Sequence, residues 1–336
     1  MTNARHDTQR PVRTPADDDL DQARRVIGQH LQPTPLIKSR VAGTSCFLKL
    51  ESMQPTGSFK VRGALAAAAA VPEGHRILAV SAGNHALGIA WASQRLGIPA
   101  TVVIAKTASP AKRAKLEALP IELIRYGQSY DEAEAYAIEL ASDAGDGTVF
   151  ISAYNDPLVI AGASTVLDEI VDQRSGSGPL TVVVPASGGG LLAGIALRAS
   201  HLRSDEAPIT VIGVEVANSP AMSAALRTGY AVEVPVGDTI ADGLSGNIEP
   251  GSVTIDVICG RVEGIVAVTE SELHGALRFL ATEHGLVAEG AGAASLAALL
   301  AGKVQARNGE VVAIVSGRNI ALPKLASVYA ESDSNA

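Results

Sequence analysis

The chain has 336 residues and a formal net charge of -8, from 27 Lys and Arg against 35 Asp and Glu. Hydrophobic residues make up 47%, aromatic residues only 3%, and 33 residues are Gly. This excludes disorder for the bulk of the chain and predicts an interior of small and aliphatic side chains in close contact. The length predicts two lobes. The acidic balance excludes a nucleic-acid partner, because no basic excess is available to neutralise phosphates, so small molecules are the expected ligands.

In chain order, residues 1–19 read as a flexible tail ending in Asp17, Asp18 and Asp19, whose carboxylates suit the positive end of the helix that follows. Leu20, Ala23, Val26, Ile27 and Leu31 give that helix an apolar face. A short strand is predicted over 46–50. Further strands follow over 76–81, 100–104, 121–125, 180–185, 209–215, 265–268 and 311–316, with helices between most of them, such as 84–96, 131–142, 191–198 and 270–284. Strands that are almost uniformly apolar and alternate with helices imply parallel sheets covered on both faces. The expected fold class is therefore α/β, two-lobed, with doubly wound parallel sheets.

Cys46 and Cys259 form no C-x-x-C pair, so the expectation is two buried, reduced thiols with no disulfide framework or zinc site. The apolar runs 63–71 and 290–302 are shorter than the ~18 residues a membrane span needs, and residues 1–19 lack a signal-peptide core. A cytoplasmic protein with no membrane partner is expected.

Two segments share one plan. Residues 77–80 lead through Ser81-Ala82-Gly83-Asn84 into a helix, and residues 181–184 lead through Ser187-Gly188-Gly189-Gly190 into another. Such turns aim backbone N–H groups at the positive end of a helix, which favours anions, and two of them imply a ligand or ligand pair with two anionic ends. Small residues that merely tighten the turns are the competing reading. No G-x-G-x-x-G follows an early strand, which counts against a dinucleotide fold.

Residues 51–64 read E-S-M-Q-P-T-G-S-F-K-V-R-G-A and place Lys60 near a helix start. A cation there is disfavoured by the helix dipole, which pushes the amine toward its neutral, nucleophilic form. A solvated helix lysine is the bland alternative.

With its neighbours, this lysine resembles that of the fold type II pyridoxal-phosphate enzymes, in the serine/threonine dehydratase branch that includes serine racemase. The motifs run in family order over roughly residues 20–325: P-T-G-S-F-K-V-R-G, S-A-G-N-H-A, S-G-G-G-L-L-A-G and V-S-G-R-N. The resemblance implies a tryptophan synthase β-like fold, with a large cofactor domain from 20–70 and 152–330, a small domain from 72–150, and a homodimer. It implies that Lys60 carries pyridoxal phosphate as a Schiff base and takes the substrate's α-proton, with Phe59 beside the pyridine ring. Asn84 would bond the ring oxygen, Ser316 would meet the pyridine nitrogen, and Ser187, Gly188, Gly189, Gly190 and Leu191 would hold the phosphate. Ser81, Ala82, Gly83 and His85 would receive the substrate carboxylate, with His85 positioning the loop rather than acting as base.

Ala82 stands where family racemases carry a proton-handling serine, which favours a one-sided dehydratase acting on a small β-hydroxy amino acid such as threonine or serine. The alternatives are a cysteine synthase-like β-replacement enzyme, a racemase and a non-catalytic binding relative. Arg318 departs from the usual S-G-G-N and would set a cation beside the ring. Ala163-Ser164 and Tyr154 depart near a segment expected to border the substrate. Glu215 matches one ligand of the family's divalent-cation site, but the aspartate that completes it is missing, so the metal stays unassigned. The catalytic fold occupies nearly the whole chain, which carries the expectation of no regulatory domain and of insensitivity to isoleucine.

Overall fold

The structure is a computed structural model that describes residues 12–41, 44–142, 147–304 and 309–330. A helix, α1 (Asp17–His30), starts inside the stretch read as tail: Asp19 accepts the Ala16 amide at 2.7 Å and pairs with Arg13. All three aspartates thus lie in the first turn, where the helix dipole favours them. The rest of the expected tail, residues 1–11, lies outside the described residues.

Among the described residues ten strands form two sheets. β1 (Leu36–Val41) and β2 (Thr44–Lys49) pair antiparallel at one edge of a six-stranded sheet. Helices α2 (Lys60–Ala68) and α3 (Asn84–Leu96) flank β3 (Arg76–Val80). Next come β4 (Ala100–Ile104), α4 (Pro110–Glu117), β5 (Glu122–Arg125), α5 (Tyr130–Ser142) and β6 (Thr148–Phe150). β3 to β6 make an all-parallel sheet in the order β5-β4-β3-β6. Then α6 (Pro157–Gln173), β7 (Leu180–Pro185), α7 (Gly190–Leu202) and β8 (Ile209–Val216) return to the larger sheet. They are followed by α8 (Ala221–Thr228), α9 (Val253–Ile258), β9 (Gly264–Val268), α10 (Glu270–His284), α11 (Gly290–Leu300), β10 (Glu310–Ile314) and α12 (Leu322–Ala330). The larger sheet runs β1-β2-β10-β7-β8-β9, parallel except at its first pair. The expected doubly wound α/β class holds, with an antiparallel edge strand that the sequence reading omitted.

Period-two alternation distributes the central strands between two cores. Val182 and Val184 of β7 and Val312 and Ile314 of β10 face a core with Ile160 of α6 and Leu192 and Ile195 of α7. Val183, Ala313 and Val315 face the opposite core with Leu277 of α10 and Leu296 of α11.

Small residues set how closely the helices approach the site. A Cβ on Gly63 would lie 2.8 Å from Val159, and one on Gly162 would lie 2.5 Å from the Arg62 carbonyl. Backbone-to-backbone packing of α2 on α6 is therefore tighter than any side chain permits. Beneath it lies a buried charge network. Arg62 bonds both oxygens of Glu51 at 2.7 Å and Glu169 at 2.7 Å, while Lys49 reaches Glu169 at 2.6 Å and the Thr34 carbonyl at 2.7 Å. Two cations and two carboxylates thus tie β2, the turn after it, α2 and α6 together, two residues from Lys60.

The cysteines differ from expectation in one respect. Both are free and Cys46 is buried, but Cys259, at the end of α9, is exposed. Among the described residues no helix is long and apolar enough to cross a membrane.

Candidate active site

The four motifs converge at the carboxyl ends of the parallel strands, where open α/β sheets bind their ligands. The two most distant meet through backbone: Phe59 N donates to Ser316 O at 3.0 Å, Ser58 bridges Gly317, and Arg318 N donates to Gly57 O at 2.9 Å. The turn after β10 therefore seats the turn that opens α2, and Lys60 is the first residue of that helix.

The Lys60 amine donates to the Ala153 carbonyl at 2.7 Å and lies 5.2 Å from the centre of the Phe59 ring. Burial pushes it down to about 8, against the opposing pull of the Glu289 carboxylate. Desolvation, rather than the helix dipole that the sequence reading invoked, is the main cause. A sizeable neutral fraction near physiological pH makes it a nucleophile and a base.

The glycine turn after β7 forms a tight cradle. Gly189 has φ +91°, a left-handed conformation that other residues rarely adopt. A Cβ on Gly188 would lie 2.6 Å from the Tyr154 ring. Tyr154 cannot yield easily, since its hydroxyl accepts the Glu249 amide at 3.0 Å. The turn from Ser187 leads into α7 at Gly190, and the first amides of a helix have no partner within it, so the turn and the helix start together present an anion site. Tyr154 therefore walls the cradle.

The turn after β3 is arranged differently. Ser81 Oγ accepts the Gly83 amide at 3.0 Å and α3 begins at Asn84, while Ser81, Ala82 and Gly83 stay partly exposed. His85 turns inward, bonded through Nε2 to the Ile151 carbonyl at 3.1 Å. Burial and the nearby Lys60 charge hold its ring down to about 3, so it is neutral and fixes the loop. Its side chain faces inward, so a part in holding a carboxylate would fall to its backbone and not to its imidazole.

Asn84 donates to Glu289 Oε1 at 2.6 Å and accepts from Asn319 Nδ2 at 2.7 Å. Burial pushes the Glu289 carboxyl up to about 7, even though the Asn84 hydrogen bond favours its charged form. Ser316 Oγ is buried, with one long hydrogen bond of 3.4 Å to the Ala291 carbonyl. The sequence reading missed Glu289. An acidic residue just before an apolar helix looks like a cap, yet its side chain makes no cap bond to α11.

Two expectations are corrected, and Glu215 takes a structural role. The Arg318 side chain is exposed and donates to the Ser52 carbonyl, so no cation is placed beside the ring. Ala163 and Ser164 are buried in α6 against Gly194 of α7, where packing rather than substrate selects them. Glu215 is buried, and its Oε2 accepts the amides of Met222 and Ser223 at 3.1 Å each, satisfying the start of α8. It faces neither solvent nor a basic partner. Among the described residues no group of three or more His, Cys, Asp or Glu side chains could hold a metal ion.

Comparison with known proteins agrees with this geometry. The family model described as pyridoxal-phosphate dependent enzyme matches residues 27–317. The L-threonine ammonia-lyase of Thermotoga maritima is 38% identical over 310 residues, 90% of this chain and 75% of that protein. The catabolic L-threonine dehydratase TdcB of Staphylococcus aureus is 37% identical over 321 residues, 92% of this chain and 90% of that one. Among solved structures, a T.th. threonine deaminase superposes with TM-score 0.81 at 36% identity, covering 92% of this chain and 99% of that one. Maize serine racemase does so with TM-score 0.84 at 27% identity, covering 95% and 98%.

The residues present fit the cofactor: a desolvated lysine amine for its aldehyde, a glycine cradle that any Cβ would fill for its phosphate, and a buried, barely engaged serine hydroxyl for its ring nitrogen. With a matching family model over most of its length and this constellation intact, the chain belongs to the pyridoxal-phosphate-dependent enzymes.

Proposed function

We propose that the protein is a dehydratase that converts a small β-hydroxy amino acid, threonine or serine, to a 2-oxo acid and ammonia. The observation that carries this is the Lys60 amine, brought down to about 8 at the meeting point of the glycine cradle, Asn84 and Ser316. The names of the relatives support the same reaction.

When bound, pyridoxal phosphate supplies the electron sink that acidifies the substrate's α-carbon. The amides of Ser187 to Leu191 hold its phosphate through the charge of the α7 terminus. Asn84 would donate to its ring oxygen and Phe59 would pack beside its ring. Ser316, a neutral hydroxyl, meets the ring nitrogen without forcing it to remain protonated, which suits prompt elimination over transamination. Lys60, as a neutral amine, would accept the α-proton on one face. The β-hydroxyl would then take up a proton and leave as water, and a water molecule would hydrolyse the remaining imine to the 2-oxo acid and ammonia. The partly exposed turn at Ser81 to Gly83 would receive the substrate carboxylate. Ala82 has no proton to give on the opposite face, which favours dehydration over racemisation.

Lys60→Ala tests the assignment: both the absorbance of bound cofactor and 2-oxo-acid formation should vanish, and persistence of both would sink it. A screen of threonine, serine, 3-hydroxyaspartate and phenylserine in both stereochemical series identifies the substrate. Light scattering measures the homodimer implied by the family resemblance.

A further inference from the structure

Glu289 and Asn319 have no part in the steps above, yet both bond the side chain of Asn84. The orientation of that amide can be followed outward from one group to the next. Asn319 Oδ1 accepts from the Lys115 ammonium of α4 at 3.0 Å, and its Nδ2 donates to the Thr56 carbonyl at 2.8 Å. A cation on one side and a carbonyl on the other leave Asn319 one amide orientation. Its Nδ2 therefore donates to Asn84 Oδ1 at 2.7 Å, so the oxygen of Asn84 must face Asn319 and its nitrogen must face Glu289, where Nδ2 donates to Oε1 at 2.6 Å. Glu289 is admitted by Gly317, since a Cβ there would lie 2.1 Å from the same Oε1. One of the two Asn84 N–H groups is engaged by Glu289 and the other remains.

We propose that Glu289 and Asn319 are positioning residues that lock the Asn84 amide with its remaining N–H toward the cofactor ring oxygen, and that Lys115 of the four-stranded lobe sets the lock. An unlocked amide can rotate by half a turn and present its oxygen to the ring oxygen, which repels it. The inference rests on the reading that Asn84 contacts the cofactor.

The test measures the dissociation constant of pyridoxal phosphate and the absorbance of the bound form. Asn319→Asp places an oxygen against Asn84 Oδ1 and should rotate the Asn84 amide. The expected result is about tenfold weaker cofactor binding, with a shifted absorbance maximum. Lys115→Met, at an exposed end of the chain of bonds, should weaken binding by about threefold. In an Asn84→Ala background neither substitution should have any further effect, because each acts through that amide.

Parental affinity and spectrum in Asn319→Asp would overturn the inference, as would an effect that persists undiminished without the Asn84 side chain. If Asn319→Asp does not fold, Asn319→Ala in the same cycle decides, with about threefold weakening expected and none overturning. Asn84→Ala separates the two levels of argument. Unchanged cofactor binding there refutes the contact reading and this inference together, whereas weakened binding there with none in the Asn319 variants refutes this inference alone.

Discussion

Arg62→Met probes the buried charge network that seats Lys60. The Arg62 and Glu51 side chains are both 0% exposed, and Glu169 is 13% exposed. Removing the guanidinium takes away two bonds to Glu51, one to Glu169 and one to Thr165, and leaves Lys49 facing two carboxylates. Glu51 then keeps only Thr34 at 2.6 Å and Gln54 at 3.3 Å, neither of them a cation. Breaking one partner out of such a buried set costs about 3–5 kcal/mol. At about 2.1 cal/mol/K per residue, cooperative unfolding of 336 residues carries about 0.7 kcal/mol/K, so the melting temperature should fall by about 4–7 °C.

The pH dependence has a definite sign. Burial alone would raise the Glu51 carboxyl, but the charge and hydrogen bonds of Arg62 outweigh it and hold the group below its ordinary 4.5. A carboxyl held low in the folded state adds stability that is complete above its unfolded value and lost as pH falls through the folded one. In Arg62→Met the largest part of that contribution is lost, with Lys49 and Thr34 left to favour the charged form, and acid unfolding should begin at higher pH. Circular dichroism melts from pH 3 to 8, about one pH step apart, measure both effects. Arg62→Met combined with Glu51→Leu should recover most of the loss, because no unpaired charge is left buried. A single variant that melts within about 1 °C of the parent, with an unmoved acid limb, would refute the reasoning.

Three further predictions concern the site. Gly188→Ala drives a methyl to 2.6 Å from a Tyr154 ring anchored on Glu249, and equilibrium dialysis should show cofactor binding weakened by about tenfold or more; parental affinity would mean that the cradle does not hold the phosphate. The rate at which apoenzyme captures pyridoxal phosphate should rise with pH to a plateau, with its midpoint about 8, as the Lys60 amine loses its proton; a flat stopped-flow profile contradicts this. Glu289, whose carboxyl is raised to about 7, should impose a step near that pH on the absorbance of bound cofactor. Glu289→Gln should remove the step and His85→Gln should leave it, since His85 titrates far below; a step that survives Glu289→Gln belongs to another group.

Much of the architecture follows from local chemistry and was legible as such. The runs 100–104 and 180–185 are buried at every residue, so nothing but a covered parallel strand accommodates them. α3 and α10 were read to their end residues, because a left-handed Gly97 and Gly285 stop them and Thr269 caps the start of α10. The start of α6 is equally legible in Asp156-Pro157, whose aspartate accepts the amides of Leu158 and Val159. β1 carries no such signal: Leu-Ile-Lys-Ser-Arg-Val neither alternates nor forms an apolar run, and the strand pairs antiparallel at an edge of the sheet.

The motif residues Lys60, Asn84, Gly188 to Gly190 and Ser316 could be named from the chain alone, because a Schiff-base amine, a small-residue turn and a strand-end hydroxyl are properties of residue type and spacing. What surrounds each of them was decided in three dimensions. Lys60 is depressed by burial, Glu289 and Asn319 come to Asn84 from 205 and 235 residues away, and Arg318 swings out to Ser52. Glu215 serves a helix start. Hydrogen bonds and desolvation depend on where the neighbours lie, and in a parallel sheet those neighbours come from strands far apart in the chain.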